Sequence, residues 1–378
     1  MPRATVLMLH DYPPVTGGGL ALSVRELASL VRDELDVYVL SSRLADHFAD
    51  DHGCGDAGVP DRDGFRWALA VPRRTVRWFV QADALVTHWT FSFRWLSTLA
   101  LVLGPLLRKP TACVIHTAPD HSRYNRLRHL PAATRSSLFR LARWALRHCV
   151  AVVALSPSHS AALADDGFPI THVLPMPVTP RTAYRRVYEL HRRVHGPPTT
   201  IGIVGELSVL KGADGIPDLL RSLTPQFAFR IAGRGELAPW IALTAAGLRP
   251  EQRKLVRLSD RLDPSRITDF YEEIDCLLIL SRTESQCRVA LEAMLAGVII
   301  LARPIYGLVD LVTDGVTGFL LDPDDPEAIR RRLLEIAGNP PEAQAIRGHA
   351  LAFAEQAFQE SQARWRSFLL DLMGVQPR

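Results

Sequence analysis

Glu284 and Glu292 stand eight residues apart in the segment Thr283 to Gly297, TESQCRVALEAMLAG. Upstream, Ile274-Asp275-Cys276-Leu277-Leu278-Ile279-Leu280 reads as a buried parallel strand. A small polar turn, Ser285-Gln286, follows the first glutamate. The second opens the apolar helical run Ala293-Met294-Leu295-Ala296, which stops at Gly297. Strand, acidic turn and helix in that order present backbone N–H groups at a helix N-terminus, where anions and above all phosphate are attracted. Two carboxylates beside a phosphate site are unfavourable unless they bind something uncharged next to it, and sugar hydroxyls fit. Taken alone, the pair reads equally as a helix N-terminal acid and a solvated surface residue. Its surroundings decide.

Four other segments place chemistry at the ends of apolar strands. Val6 to His10 leads into the turn Asp11-Tyr12-Pro13-Pro14-Val15-Thr16-Gly17-Gly18-Gly19, and a helix follows with apolar positions at Leu20, Val24, Leu27, Ala28 and Val31. Glycines there let backbone approach a ligand closely. Ile201 to Val204 leads into Gly205-Glu206-Leu207-Ser208-Val209-Leu210-Lys211-Gly212, which sets a lysine in a chain almost without lysine. Phe227 to Ala232 leads into Gly233-Arg234-Gly235-Glu236. His116 ends the strand Thr111-Ala112-Cys113-Val114-Ile115; a neutral imidazole there can bind a sugar hydroxyl or take a proton from one. His88, in Val86-Thr87-His88-Trp89, is a second candidate, and His10 and Asp120 are weaker ones. Trp89, Phe91, Phe93 and Trp95 can stack on sugar faces, although core packing suits most of them better.

Together these segments resemble the retaining glycosyltransferases of the GT-B fold, specifically glycosyltransferase family 4. The family's acidic motif, two glutamates separated by seven residues and followed by Ala-Met and a glycine, is matched by Glu284, Glu292, Ala293, Met294 and Gly297. The resemblance implies that Glu284 holds hydroxyls of a donor sugar and Glu292 holds the ribose of its nucleotide. The backbone through Ser285, Gln286, Cys287, Arg288 and Val289 would cradle the phosphate. Where the family has Gly-aromatic-Gly, this chain has Ser285-Gln286-Cys287. The family's Pro-Pro, two residues, Gly-Gly signature aligns best with Gly18 and Gly19 as the glycine pair. Its Gly-Arg-Leu…Lys-Gly pattern aligns with Gly205-Glu206-Leu207 and Lys211-Gly212, which implies that Lys211 clamps the diphosphate. Glu206 stands where arginine is commoner, a reversal that costs on the order of a few kcal/mol in a cleft. Either Arg234 or Arg288 compensates, or Glu206 points away, or donor binding is weakened. By the same resemblance Gly233 belongs to a second glycine turn, and Asp260-Arg261-Leu262 lies where relatives place the base. Gly307, Asp310, Gly315 and Gly318 match a closing structural segment. His116 falls on the family's strand-end histidine near the reacting centre, and His88 and Asp120 are assigned to the acceptor side.

A chain of 378 residues is long enough for two domains with separate cores. The N-terminus begins directly with a strand, too short in apolar residues for a signal peptide and without a small-residue cleavage site. The longest apolar run, Leu96 to Leu107, is broken by Gly104-Pro105 and falls well short of a membrane span. The five cysteines are scattered without metal-ligand spacing, so reduced thiols in a cytoplasm are expected and zinc is not. Residues 1–195 carry 24 basic against 16 acidic side chains and the remainder 20 against 24. The basic excess gathers in Arg123, Arg126, Arg128, Arg135, Arg140, Arg143 and Arg147, interleaved with Leu138, Phe139, Leu141, Trp144 and Leu146. Such a helix can dock weakly on anionic lipid, but a half-buried helix with a solvated arginine face is the commoner case. The predominance of arginine over lysine suggests a GC-rich, bacterial genome. No nucleic-acid partner is expected.

Strands alternating with helices predict α/β architecture with parallel, doubly wound sheets. Residues 1–180 form the expected first, acceptor-binding domain, with strands at Val6–His10, Val37–Leu40, Ala84–Thr87, Thr111–His116 and Val150–Leu155. A proline-rich, arginine-rich stretch makes residues 181–198 the expected linker. Residues 199–354 form the nucleotide-sugar domain, with strands at Ile201–Val204, Phe227–Ala232, Leu255–Leu258, Cys276–Leu280 and Val298–Ala302. A last helix from about Glu342 to Met373 is expected to return, over about 355–378, to complete the first domain. Two Rossmann-like domains facing across a cleft follow, with ligands at strand carboxyl ends.

The resemblance implies transfer of a sugar from a nucleotide diphosphate sugar to a hydroxyl acceptor (a small-molecule natural product, polysaccharide or lipid-linked glycan) with retention at the anomeric carbon. The leaving phosphate takes the acceptor's proton in a front-face displacement. His116, Lys211 and Glu284 are the expected catalytic residues, with neither metal nor cofactor. No Asp-x-Asp pair sits at a plausible strand end. Two alternatives share the fold: a sugar-nucleotide hydrolase or epimerase that uses no acceptor, and a non-catalytic binding subunit, for which Glu206 and the altered turn are the support. Acceptor choice is expected from loops such as 46–66 and 117–131.

Overall fold

The computed structural model describes residues 3–10, 19–41, 59–60, 66–69, 72–91, 95–117, 130–193, 200–263 and 266–375. The chain divides into two units, Met1–Pro177 with Gln359–Arg378, and Val178–Phe358.

The first unit holds strands β1 (Thr5–His10), β2 (Asp36–Ser41), β3 (Val59–Pro60), β4 (Arg66–Leu69), β5 (Ala84–Trp89), β6 (Thr111–Ile115), β7 (Ala151–Ala154) and β8 (His172–Val173). They form one sheet in the order β3-β4-β2-β1-β5-β6-β7-β8, parallel except for β3 against β4. Side chains of β1 alternate between two cores, as a strand requires. Val6 and Met8 pack with Val24, Leu27, Val86 and Val114, and Leu7 and Leu9 with Phe79, Leu85 and Leu96. The helix Pro340–Leu372 ends in this unit: Trp365 and Leu369 join the Val6 cluster, and the Trp365 indole N–H donates to Pro175 O at 2.8 Å.

The second unit holds β9 (Thr200–Val204), β10 (Ala228–Ala232), β11 (Val256–Ser259), β12 (Cys276–Ile279), β13 (Ile299–Ala302) and β14 (Phe319–Leu320), in the order β11-β10-β9-β12-β13-β14. All the pairings are parallel. The chain therefore runs outward from β9 through β10 to β11, then returns to the opposite side of β9 with β12. Between the carboxyl ends of β9 and β12 lies the sheet's topological switch point, where ligands of doubly wound sheets bind.

The stretch 181–198, expected as a linker, instead contains the helix Thr182–Arg193. Tyr184 and Val187 bury themselves in the core of the second unit, and His191 Nδ1 bonds Ala296 O at 2.9 Å. The spacing 184, 187, 191 is one helical face; abundant arginine on the other face gives the segment its linker-like composition.

Candidate functional site

Two glycine-bearing turns at the strand ends of the second unit are stitched together by backbone. Gly205 N donates to Ala232 O at 3.0 Å and Leu207 N to Arg234 O at 2.8 Å. The loop from β9 then crosses the end of β12 at Gly212, whose φ of +69° and closeness to Leu280 O (2.2 Å from where a Cβ would stand) admit only glycine. That crossing brings Lys211 onto Glu284. Lys211 Nζ donates to Glu284 Oε1 at 2.6 Å, and Ser281 Oγ donates to the same oxygen at 2.7 Å. Oε2 of Glu284 has no hydrogen-bond partner among the described residues. The side chains are 33% and 11% exposed, so the pair is partly desolvated but open to a ligand. Burial by itself would lower the Lys211 pKa, but the Glu284 charge and hydrogen bond, with smaller help from Cys287 and Glu206, raise it, so the ammonium form is held. Behind Glu284, Gly307 (φ +79°) lies so close that a Cβ would meet Glu284 O at 2.2 Å.

The helix Arg288–Leu295 starts immediately after this turn. Its N-cap, Cys287, makes no side-chain capping bond, and its first turn carries no acid; both suit an anion at that end. Burial pushes the Cys287 thiol well up, so it stays neutral. Glu292, on the same helix, is not a solvated surface residue: it is 5% exposed. Arg288 Nε donates to its Oε1 at 2.8 Å, and the Tyr271 hydroxyl donates to its Oε2 at 3.1 Å. Tyr271, on the helix Ile267–Glu272, is the residue that sequence reasoning missed. Its setting, Asp269-Phe270-Tyr271, reads only as core packing, and nothing in the spacing ties it to a carboxylate 21 positions on.

Both arginines proposed to offset Glu206 hold carboxylates of their own. Arg234 grips Asp260 through two hydrogen bonds; these, with the Arg261 amide at 2.7 Å, hold the Asp260 carboxyl at about 2. Arg288 is committed to Glu292. Glu206 is exposed and its side chain makes no hydrogen bond among the described residues, yet it stands near enough to Lys211 to strengthen the ammonium's hold on its proton. Leu262 is half-buried against the core. Arg282, whose guanidinium donates to Val209 O at 2.6 Å and to Asp214 at 2.9 Å, pins the loop that carries Lys211.

In the first unit, His88 and His116 meet at the carboxyl ends of neighbouring strands β5 and β6, with His88 Nδ1 and His116 Nε2 2.8 Å apart. One of these nitrogens must donate and the other accept, so the bond holds a single proton. His116 N donates to Trp89 O at 2.9 Å, which fixes the strand end. Trp89 and Phe91 are fully buried, with Phe91 packed on Phe139 and Phe168; they are core. Gly19 starts the helix Gly19–Ser29. Gly18, Asp120, Phe93, Arg123, Arg126, Arg128, nearly all of the two acceptor loops, and the side chains of His10, Trp95 and Arg135 lie outside the described residues. Among the described residues, no group of three or more His, Cys, Asp or Glu side chains is placed to hold a metal ion.

A doubly wound sheet in each unit, a lysine and two glutamates at one switch point, and two histidines at strand ends define the class: a GT-B glycosyltransferase architecture. The chain matches the model of Glycosyltransferase Family 4 over residues 17–181 and that of Glycosyl transferases group 1 over residues 189–351. It belongs to the family 4 type of glycosyltransferases. It is 25% identical over 369 residues to a glycogen synthase of Mycobacterium tuberculosis, covering 90% of this chain and 87% of that protein. It is 36% identical over 86 residues to a D-inositol 3-phosphate glycosyltransferase of Streptomyces avermitilis, a match that spans 23% of this chain and only 18% of that protein. Its fold is similar to Anabaena HepE in complex with UDP-glucose (TM-score 0.74, 20% identity, 97% of this chain and 99% of that one). Sucrose-phosphate synthase of Thermosynechococcus elongatus is equally similar (TM-score 0.75, 16% identity, 98% and 100%).

Proposed function

We propose that this chain is a retaining glycosyltransferase that moves a sugar from a nucleotide diphosphate sugar to a hydroxyl acceptor. The observation that carries the reading is the Lys211–Glu284 pair at 2.6 Å, set at the β9/β12 switch point beside an uncapped helix N-terminus. The diphosphate lies against Lys211 and the amides of Gln286 to Val289, a donor hydroxyl bonds Glu284 Oε2, and Glu292 takes the ribose. The bond between the anomeric carbon and the diphosphate oxygen breaks, and its electron pair goes to the phosphate. The acceptor oxygen bonds the same face of that carbon and gives its proton to the leaving phosphate. Stabilising the developing phosphate charge is then the main catalytic task, and the reading assigns no step to a metal or cofactor. In the first unit, His116 is assigned to the acceptor hydroxyl and His88 to support of its ring.

HepE binds UDP-glucose, which makes UDP the first nucleotide to try. The reading places the protein in a cytoplasm, in keeping with the free thiols of Cys113, Cys149, Cys276 and Cys287. No described helix is long and apolar enough to cross a membrane. The exposed Leu141 and Trp144, beside Arg140 and Arg147, suit at most a weak peripheral contact with anionic lipid.

The test is a thermal-shift and calorimetry screen against UDP, GDP, ADP and dTDP, with and without their sugars. A ligand of the native state raises its apparent stability by mass action. One nucleotide should give a clear shift that Glu292→Ala abolishes; silence from all of them overturns the reading.

A further inference from the structure

Glu292 is a buried carboxylate with one donor on each oxygen, Arg288 Nε on Oε1 at 2.8 Å and the Tyr271 hydroxyl on Oε2 at 3.1 Å. The Tyr271 oxygen also lies 3.3 Å from Val289 O. A phenol has one proton to give, and the nearer, charged acceptor claims it. Tyr271 itself is fully buried, 6.2 Å from the ring of Tyr184 and 6.0 Å from that of Phe270, so its hydroxyl cannot swing away. Burial and the neighbouring Glu292 charge push its pKa well up, which keeps the proton in place. Two rigid donors on opposite oxygens fix both the position and the plane of the carboxylate. Each oxygen accepts one bond and keeps a further lone pair. That leaves two parallel acceptor sites, the arrangement a vicinal diol needs.

We propose that Tyr271 is a positioning residue for ribose recognition, its hydroxyl holding the Glu292 carboxylate so that both oxygens accept from the 2′- and 3′-hydroxyls of the donor nucleotide. This rests on the nucleotide-sugar reading above and adds to it a residue and a selectivity. Ribonucleotides are preferred over 2′-deoxyribonucleotides because a carboxylate fixed for two hydroxyls is left with an unmet acceptor when one is missing.

The experiment compares binding of UDP, ADP and GDP with that of their 2′-deoxy counterparts by calorimetry, in the wild-type protein, Tyr271→Phe, Glu292→Gln and the double variant. The wild type should prefer at least one ribonucleotide by about tenfold, the worth of one hydrogen bond to a charged group. Tyr271→Phe should bring that ratio close to one while leaving the affinity for the deoxy form nearly unchanged. In the Glu292→Gln background the ratio should already be low, and adding Tyr271→Phe should change it no further, because both act on one carboxylate. An equal loss for ribo and deoxy forms would mark Tyr271 as packing only and overturn the proposal, as would an undiminished ratio. Additive effects in the double variant would separate Tyr271 from Glu292 and overturn it too. If Tyr271→Phe does not fold, a wild-type-like ratio in Glu292→Gln is enough to refute it. A wild type that binds ribonucleotides without discrimination sinks this proposal alone; one that binds no nucleotide sinks the donor reading beneath it.

Discussion

Replacing Lys211 by alanine removes the only lysine of the second unit that meets a carboxylate at the switch point, and its consequences for stability and for rate separate cleanly. The ion pair is short (2.6 Å), but the lysine side chain is 33% exposed, so solvent screens it and its loss costs about 1 kcal/mol of stability. Glu284 keeps its bond from Ser281 at 2.7 Å and is therefore not stranded. The rate effect is larger. If the ammonium stabilises charge that grows on the leaving diphosphate, removing it resembles removing one preorganised donor, about 10²–10³ in kcat or roughly 3–4 kcal/mol of transition-state stabilisation. Lys211→Met keeps most of the apolar stem and should behave like alanine in rate, with less effect on folding. Steady-state kinetics at saturating acceptor, beside denaturant unfolding of each variant, reads both quantities. Wild-type kcat and kcat/KM in Lys211→Ala would refute the assignment. A stability loss of several kcal/mol with a rate loss no larger would show instead that the lysine is structural.

Three further outcomes are expected. Glu206→Arg reverses an exposed charge near Lys211 and should tighten nucleoside diphosphate binding about tenfold, about 1–2 kcal/mol at partly screened separations; calorimetry at two salt concentrations checks it, and unchanged affinity would mean that Glu206 does not feel the ligand. His116→Asn should lower kcat about a hundredfold with little change in donor KM, and His88→Phe should shift the pH profile of kcat, because the His88–His116 bond holds one proton between two rings. His191, buried against Ala296 O and near Arg347, has its pKa lowered chiefly by burial. The folded state thus favours the neutral ring, and below about 6.5 the unfolded chain binds more protons. The stability from this group is complete above about 6.5 and is lost as pH falls from there through the lowered folded value. Denaturant unfolding at pH 7.5 and 5.5 should therefore show a smaller acid loss in His191→Gln than in the wild type.

Much of the parallel framework was legible because a strand buried on both faces must be a continuous apolar run. Val6–His10, Thr111–Ile115 and Cys276–Ile279 announce themselves in this way. The short edge strands escaped. His172–Val173 and Phe319–Leu320 are two residues long and owe their conformation to a neighbour already in place, as does Arg66–Leu69 beside β2. Helix Thr182–Arg193 was obscured by its arginines, since its buried face is carried by Tyr184, Val187 and His191 with Tyr188 partly buried beside them. In the site, glutamates and glycines could be placed because their spacing along one turn is local. The contacts that orient them could not: Lys211–Glu284 spans 73 positions, His88–His116 spans 28 and Tyr271–Glu292 spans 21. The first two depend on which strands become neighbours, and the third on how the helices before and after β12 pack together; none is a property of any one segment.

The Lys211–Glu284 pair poses an electrostatic problem that its own geometry resolves. A lysine neutralised by a carboxylate at 2.6 Å offers little net charge to a diphosphate, and the exposed Glu206 makes the balance less favourable still. Breaking the pair to free the ammonium would forfeit its Coulomb energy and leave Glu284 with only its bond from Ser281 among the described residues. An ammonium has three donors, however, and Glu284 takes one of them on Oε1. On the proposed reading the others serve phosphate oxygens. Oε1 is also the oxygen that Ser281 holds, so Oε2 is left for a sugar hydroxyl. The pair therefore need not open when donor arrives. On the proposed reading it sets a cation for the phosphate and an acceptor for the sugar at fixed separation, and the helix Arg288–Leu295, with no acid in its first turn, adds partial positive charge without reorganisation. Preorganisation of this kind spends less binding energy on ordering the site, which suits a pocket whose formal charge has been lowered by Glu206.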